Sequence, residues 1–292
     1  MARVALQDII ALYRIPPATK DPAIESRTIL RRALAKAGTA YPWVKTRGYL
    51  TDIALPEADG DIHFFIETEQ GAHDAGTPMQ TCEIQSVYIK TSTGRREDGR
   101  IKDFKQLFGE EVEVTGMLRA WPEHLRSTRQ PHLFELHPVL TIGKIGKAPI
   151  DFTDRVIWPS GEDEGEAVRT FERAFGAPAN LTVALQNNRV VFRTPGHGMQ
   201  KENYAHVEAF VLDVSNHPKG KWLTLASSTS ANAVQARGFA LDGTTAFAKV
   251  AKLRNGKRYR IGGLAGLDLP TLAADAPQWA AWLSPILSIE AA

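Results

Sequence analysis

Cysteine is almost absent from this chain. Cys82 stands alone among 292 residues, which excludes an internal disulfide and any zinc site built on thiolates. Long apolar runs are missing too: none approaches the roughly 20 residues of a bilayer-spanning helix. The opening MARVALQDII has no apolar core followed by a small-residue cleavage site. A cytoplasmic protein with no membrane partner is the expectation. Charge of one sign is not in excess either, since 35 basic residues face 33 acidic ones for a formal net charge of +2. The field of the whole molecule is weak, so any polyanion site must come from clustered charge. Catalytic signatures are scarce. Thr194-Pro195-Gly196-His197-Gly198 and Gly262-Gly263-Leu264-Ala265-Gly266 lack the lysine and hydroxyl of a P-loop and the strand-to-helix setting of a dinucleotide site. Ser227-Ser228-Thr229-Ser230 has no evident base to activate a nucleophile. No cofactor is expected, and no motif fixes a reaction.

What is present is β-pattern. Strands are expected at Val44–Leu55, with Gly48 as a bend, then at Ile62–Glu67 and Thr81–Lys90. Ala58-Asp59-Gly60 is a turn signal between the first two. A short helix over Arg100–Phe108 stops at Gly109. Val112–Arg119 alternates apolar and polar residues, and Leu133–Ile142 completes a set of five strands. Five strands with a helix between the third and fourth match an OB-type barrel.

Residues 1–40 read as a helical N-terminal extension, 41–146 as the OB-fold domain and 147–292 as a second antiparallel β domain, OB-like in outline. The fold class is therefore mainly β (α+β). In the extension, Pro22–Ala37 is helical, with Arg27, Arg31, Arg32 and Lys36 on a solvated or ligand-contacting face. Gly143–Pro149 reads as a linker and Glu162–Phe175 as an acidic helix. Leu181–Phe192 is expected as a hairpin turning at Asn187-Asn188. Tyr204–Val214 should pair with Lys221–Ala226, and Thr245–Lys252 with Lys257–Leu264. The tail Trp279–Ile289 is apolar enough to pack on the barrel.

Two sets of residues could carry chemistry. The first is a carboxylate and histidine set: Asp61 and His63 open the second strand, and Glu135 and His137 lie on one face of the fifth. Brought together, two imidazoles and two carboxylates suit a divalent metal. That supports an alternative reading as a metal-dependent phosphodiesterase or nuclease, the one reading that needs a cofactor ion. Without a metal, the same residues make the turn and hydrogen-bond within a packed barrel end.

The second set is basic and aromatic. Tyr88, Lys90, Arg95, Arg96, Arg119 and Trp121 fall in or beside the barrel's loops, and Arg254, Lys257 and Arg258 form a basic tip in the second region. His197, Lys201, Tyr204, Lys219, Lys221, Trp222, Arg237, Phe239 and Arg260 add a parallel mix there, and Trp43 and Phe65 are further platforms. Single strands need charge for the backbone and flat side chains for the bases. The leading expectation is thus a binder of single-stranded DNA or RNA with low sequence preference, alone or as a non-catalytic subunit of a processing complex. A structural protein-interaction module is a further alternative.

The segments DGDIHFFIE, LFGEEVEVTG and FELHPVLTIG resemble those of small bacterial OB-fold proteins with a GD-x-H strand and a closing E-x-HP strand. The resemblance spans about residues 43–142 and implies the fold. It marks Asp61, His63, Glu135 and His137 as hallmarks of that fold rather than as an active site.

Overall fold

The computed structural model describes residues 3–14, 21–37, 43–56, 60–72, 78–122, 132–158, 170–178, 180–193 and 203–292. Elements α1 (Leu6–Ile10), β1 (Ala23–Ile24) and α2 (Arg27–Ala37) precede the first barrel. That barrel contains β2 (Trp43–Ile53), β3 (Ile62–Glu67), β4 (Gln80–Ile84), the hairpin β5 (Tyr88–Thr91) and β6 (Gly94–Glu97), α3 (Arg100–Lys105), β7 (Glu111–Ala120) and β8 (Phe134–Lys144). Next come β9 (Ile150–Asp151), a 3-10 turn at Thr153–Arg155, α4 (Phe171–Phe175), and the hairpin β10 (Thr182–Gln186) and β11 (Arg189–Arg193). The second barrel holds β12 (Tyr204–His217), β13 (Gly220–Ala226), β14 (Gln235–Leu241), α5 (Thr245–Val250), β15 (Lys257–Leu267), α6 (Leu269–Leu272) and β16 (Ala281–Ala291).

Both barrels close in the OB manner. In the first, β2 pairs with β3 and β7, β7 pairs with β8, and β4 meets β8 in parallel to seal the ring. The fifth strand therefore lies against the third and fourth rather than the first. The second barrel repeats this order, with β12 between β13 and β15 and a parallel β14–β16 closure. The helix sits between the third and fourth strands in each. Strand alternation explains the core: Val44, Thr46, Gly48 and Leu50 of β2 are buried, and the residues between them are partly exposed. Gly48 is a site of close approach, because a Cβ there would stand 2.6 Å from Leu6 and 2.7 Å from the Glu67 carbonyl. The backbone irregularity itself falls later, between Leu50 and Asp52.

Several expectations change. The third strand ends at Ile84, and Tyr88–Lys90 belongs to a separate two-stranded hairpin. The segment read as a linker continues β8 to Lys144, turns, and folds back as β9 onto Thr141 and Ile142. Thr245–Val250 is a helix instead of a strand. The Thr244 side chain accepts the Phe247 amide at 3.2 Å as N-cap, and Ala246 and Val250, one turn apart, are buried. The expected pairing of Tyr204–Val214 with Lys221–Ala226 stands as β12–β13, while β15 pairs with β12 and β16; the second neighbour of β13 is β14, whose small Ala236, Gly238 and Ala240 gave little strand signal. The apolar tail is the closing strand β16. The hairpin at Asn187-Asn188 stands as expected, with φ of +47° and +66°. Of the expected acidic helix only Phe171–Phe175 is seen, and 162–169 lie outside the described residues. On α2, Arg27 and Arg31 bind the Ala274 and Ala273 carbonyls and Asp275, which clamps the extension to the second region.

The barrels pack through matching surfaces. Register equates Met117 with Leu264 and Leu140 with Leu287, and all four share one apolar cluster with Tyr204, Phe239 and Leu241.

Candidate functional site

Strand pairing brings together what the sequence leaves scattered. His63 faces Glu83 across the β3–β4 ladder, and the parallel β4–β8 closure sets Glu135 and His137 beside them. His63 Nε2 lies 3.3 Å from Glu83 Oε2, and His137 Nδ1 lies 2.8 Å from the same oxygen. The two histidines thus meet through Glu83, a residue the sequence did not single out. His137 Nδ1 also lies 3.2 Å from Glu135 Oε1, and its Nε2 is 3.7 Å from Asp61 Oδ2. Asp61 accepts the Ser86 amide at 2.6 Å and the hydroxyl of Tyr204, which comes from the second barrel. His132 Nε2 is 3.3 Å from the second Glu135 oxygen.

The centre of the cluster is buried, with Asp61, Glu83 and His137 at most 1% exposed and Glu135 4% exposed, while His63 and His132 at its edge are partly exposed. Burial alone would drive the Glu83 carboxyl up, but His137 and His63 hold it below the usual carboxylate range. Burial likewise opposes charge on His137, yet Glu83 and Glu135 carry it up to about 10. Burial would raise Glu135 as well, and Arg119 with the histidines keeps it low. Two triads offer donor atoms within 4.8 Å of one another, Asp61–Glu83–His137 and His63–Glu83–Glu135.

Arg119 and Trp121 are not where a strand binder needs them. Arg119 is 1% exposed, with its guanidinium on Glu135, the Ala265 carbonyl at 2.6 Å and the Asn203 carbonyl at 3.4 Å. It is a seam residue and offers nothing to a phosphate. Trp121 is 3% exposed and packs on Trp279 at 6.0 Å, so no base can stack on it. The expectation put both in or beside exposed barrel loops, whereas here Arg119 lies on β7 and both side chains face the second region. Trp43 and Phe65 are likewise half-buried and buried. Arg95 and Arg96 do lie exposed on the β5–β6 hairpin, with Arg95 5.4 Å from the Tyr88 ring centre. Lys90 is on the same hairpin. Arg254, Lys257 and Arg258 are exposed at the start of β15, where Arg258 pairs with Glu208.

The second barrel carries a different set on the equivalent face. Register places Trp222 where the first barrel has His63, Phe239 for Glu83, Arg237 for Thr81, Trp282 for Glu135 and Ser284 for His137. One barrel therefore bears an ion cluster and the other an aromatic one. The Arg237 guanidinium lies 4.7 Å from the Trp222 ring and 5.5 Å from Trp282, and is held by Asp268 at 2.9 Å on both sides. Trp222 and Arg237 are half-buried, while Phe239 and Trp282 are buried beneath them.

No protein-family model matches the sequence, and no curated protein matches it. Among solved structures, a murine DNA-binding protein bound to double-stranded DNA is similar over 85% of this chain and 99% of its own, at 8% identity and TM-score 0.25. Fission yeast Pot1 with single-stranded DNA is similar over 82% and 78%, at 8% identity and TM-score 0.24. An aspartyl tRNA synthetase from Entamoeba histolytica is similar over 31% of this chain, at 14% identity and TM-score 0.23, and this chain covers only 19% of it. Likeness at this level carries nothing about ligand or activity. Among the described residues, no helix is long and apolar enough to cross a membrane.

Proposed function

We propose that the protein binds single-stranded nucleic acid with low sequence preference and catalyses no reaction. The observation that carries this reading is the outer face of β13 and β14. In OB barrels the second and third strands take the ligand, and here those strands present half-buried Trp222 with Arg237 over its ring. A base stacked on such a platform is worth about 1–3 kcal/mol. The exposed Arg95, Arg96, Arg254, Lys257 and Arg258 then supply backbone neutralisation, with Tyr88 as a second platform on the β5–β6 hairpin. A hydrolase reading finds less support, because phosphate and water would have to reach carboxylates that are at most 4% exposed.

The test is fluorescence anisotropy of labelled single- and double-stranded oligonucleotides across a salt series. Single strands should bind more tightly, and affinity should fall steeply with salt. Trp222→Ala should weaken single-strand binding roughly 5- to 150-fold, the equivalent of one lost stack. No binding at low salt would overturn the reading and favour a protein-interaction module.

A further inference from the structure

The outer face of β2 gathers positive charge between two aromatic rings. Alternation puts Trp43, Lys45, Arg47 and Tyr49 on that face, each partly exposed, while Val44, Thr46, Gly48 and Leu50 are buried on the other. At the rise of a strand these four side chains span about 20 Å. The N-terminal segment adds a third cation. The Val4 amide donates to the Lys45 carbonyl at 2.9 Å, which sets Arg3 beside Lys45.

All three cations converge on one carboxylate. Glu113, opposite Arg47 on β7, accepts from Arg3 Nη2 at 3.0 Å and from Arg47 Nε at 3.0 Å, and pairs with Lys45. One anion neutralises one of three positive charges, and the others repel each other at close range. The contact engages Arg47 through Nε alone, and its two terminal nitrogens have no partner among the described residues. The side chains of Arg3, Lys45 and Arg47 stay 47%, 35% and 33% exposed, open to a further anion. Glu111, exposed opposite Tyr49, leaves the stripe positive, since three cations then face two acids. At the other end Trp43 lies opposite Met117 and packs on the apolar cluster of the seam, as Trp222 of the second barrel also does. The basic stripe and the aromatic face of the second barrel thus border one cluster, an arrangement suited to a long anion with flat groups along it.

We propose that single-stranded nucleic acid bound on the Trp222 face runs on along β2 of the first barrel, a path that rests on the nucleic-acid reading above. Lys45, Arg47 and Arg3 hold its phosphates, and Tyr49 stacks a base beyond them. Glu113 gathers the three cationic side chains in advance, so less of their freedom is lost when the strand arrives.

Fluorescence anisotropy of the full-length protein tests the path, using labelled oligothymidylate of about 20 nucleotides, long enough for two barrels, across a salt series. Changing Lys45 and Arg47 together to Ala should weaken binding and lower the slope of log affinity against log salt by about 1.4, for two lost phosphate contacts. Arg32→Ala with Lys36→Ala, an equal change of charge on the exposed face of α2, should leave the slope as in wild type. Should the β2 double variant not fold by circular dichroism, Arg47→Gln alone serves, with a slope lower by about 0.7. Unchanged affinity and slope in a folded β2 variant, with Trp222→Ala still weakening the strand, would overturn the path alone and leave this face to an acidic protein segment. An equal fall in the α2 variant would also overturn it, by marking the effect as one of net charge. Absence of binding by wild type at low salt would remove the nucleic-acid reading and the path with it.

Discussion

At the scale of single residues, the arginines divide by what surrounds them. Arg119 sits inside the seam against Glu135, so Arg119→Met leaves a buried carboxylate without its partner. We expect a loss of about 3–5 kcal/mol in urea unfolding. Arg95 and Arg96 are exposed on a hairpin, and changing both to Ala should alter stability by no more than about 0.5 kcal/mol each. The same double change should reduce the slope of log affinity against log salt by about 1.4, as two phosphate contacts disappear. Asp98 adds a pH prediction. Hydrogen bonds from Arg100 hold its carboxyl below the ordinary range. A depressed carboxylate contributes stability that is complete above its unfolded pKa, about 3.9, and is lost as pH falls through the folded value. Asp98→Asn should therefore start less stable at neutral pH and lose less Tm than wild type between about pH 5 and pH 2.5, the carboxyl titration range.

At the scale of elements, what decides is capping and pairing rather than propensity. The stretch Thr245–Val250 alternates well enough to pass for a strand, yet Thr244 caps it as a helix that buries Ala246 and Val250. Thr244→Ala should cost about 1 kcal/mol, read as a shifted denaturation midpoint with circular dichroism otherwise unchanged. Gly220 shows the opposite constraint. At φ +156° its absent Cβ would lie 2.1 Å from the Ala240 carbonyl, so only glycine lets β13 start against β14.

At the scale of the whole molecule, two barrels of one topology share a seam whose apolar part is built from equivalent residues. Arg119 reaches the Ala265 backbone, Tyr204 reaches Asp61, and Met117, Leu140, Leu264 and Leu287 form an apolar cluster between them. The barrels should unfold as one cooperative unit, with tryptophan fluorescence and far-ultraviolet circular dichroism tracing the same urea transition. Tyr204→Phe deprives buried Asp61 of a donor and should cost about 1–3 kcal/mol. Two separated transitions in the wild type would show that the seam contributes little.

The sequence by itself determined five strands for the first barrel with a helix between the third and fourth, the Ile62–Glu67 strand to the residue, the Asn187-Asn188 hairpin and the candidate quartet Asp61, His63, Glu135 and His137. Those features rest on local facts: period-two alternation, turn chemistry, and side chains two apart on one strand. Only the tertiary structure decided that the quartet converges on Glu83, because a parallel β4–β8 contact joins segments more than 50 residues apart and leaves no mark in either. It alone decided that Arg119 and Trp121 are buried, since a residue at or beside a loop is exposed only where nothing packs on it. The aromatic face of the second barrel was legible as a list of residues. That Trp222, Arg237 and Trp282 lie on one face depended on β14, whose small residues carry almost no hydrophobic period.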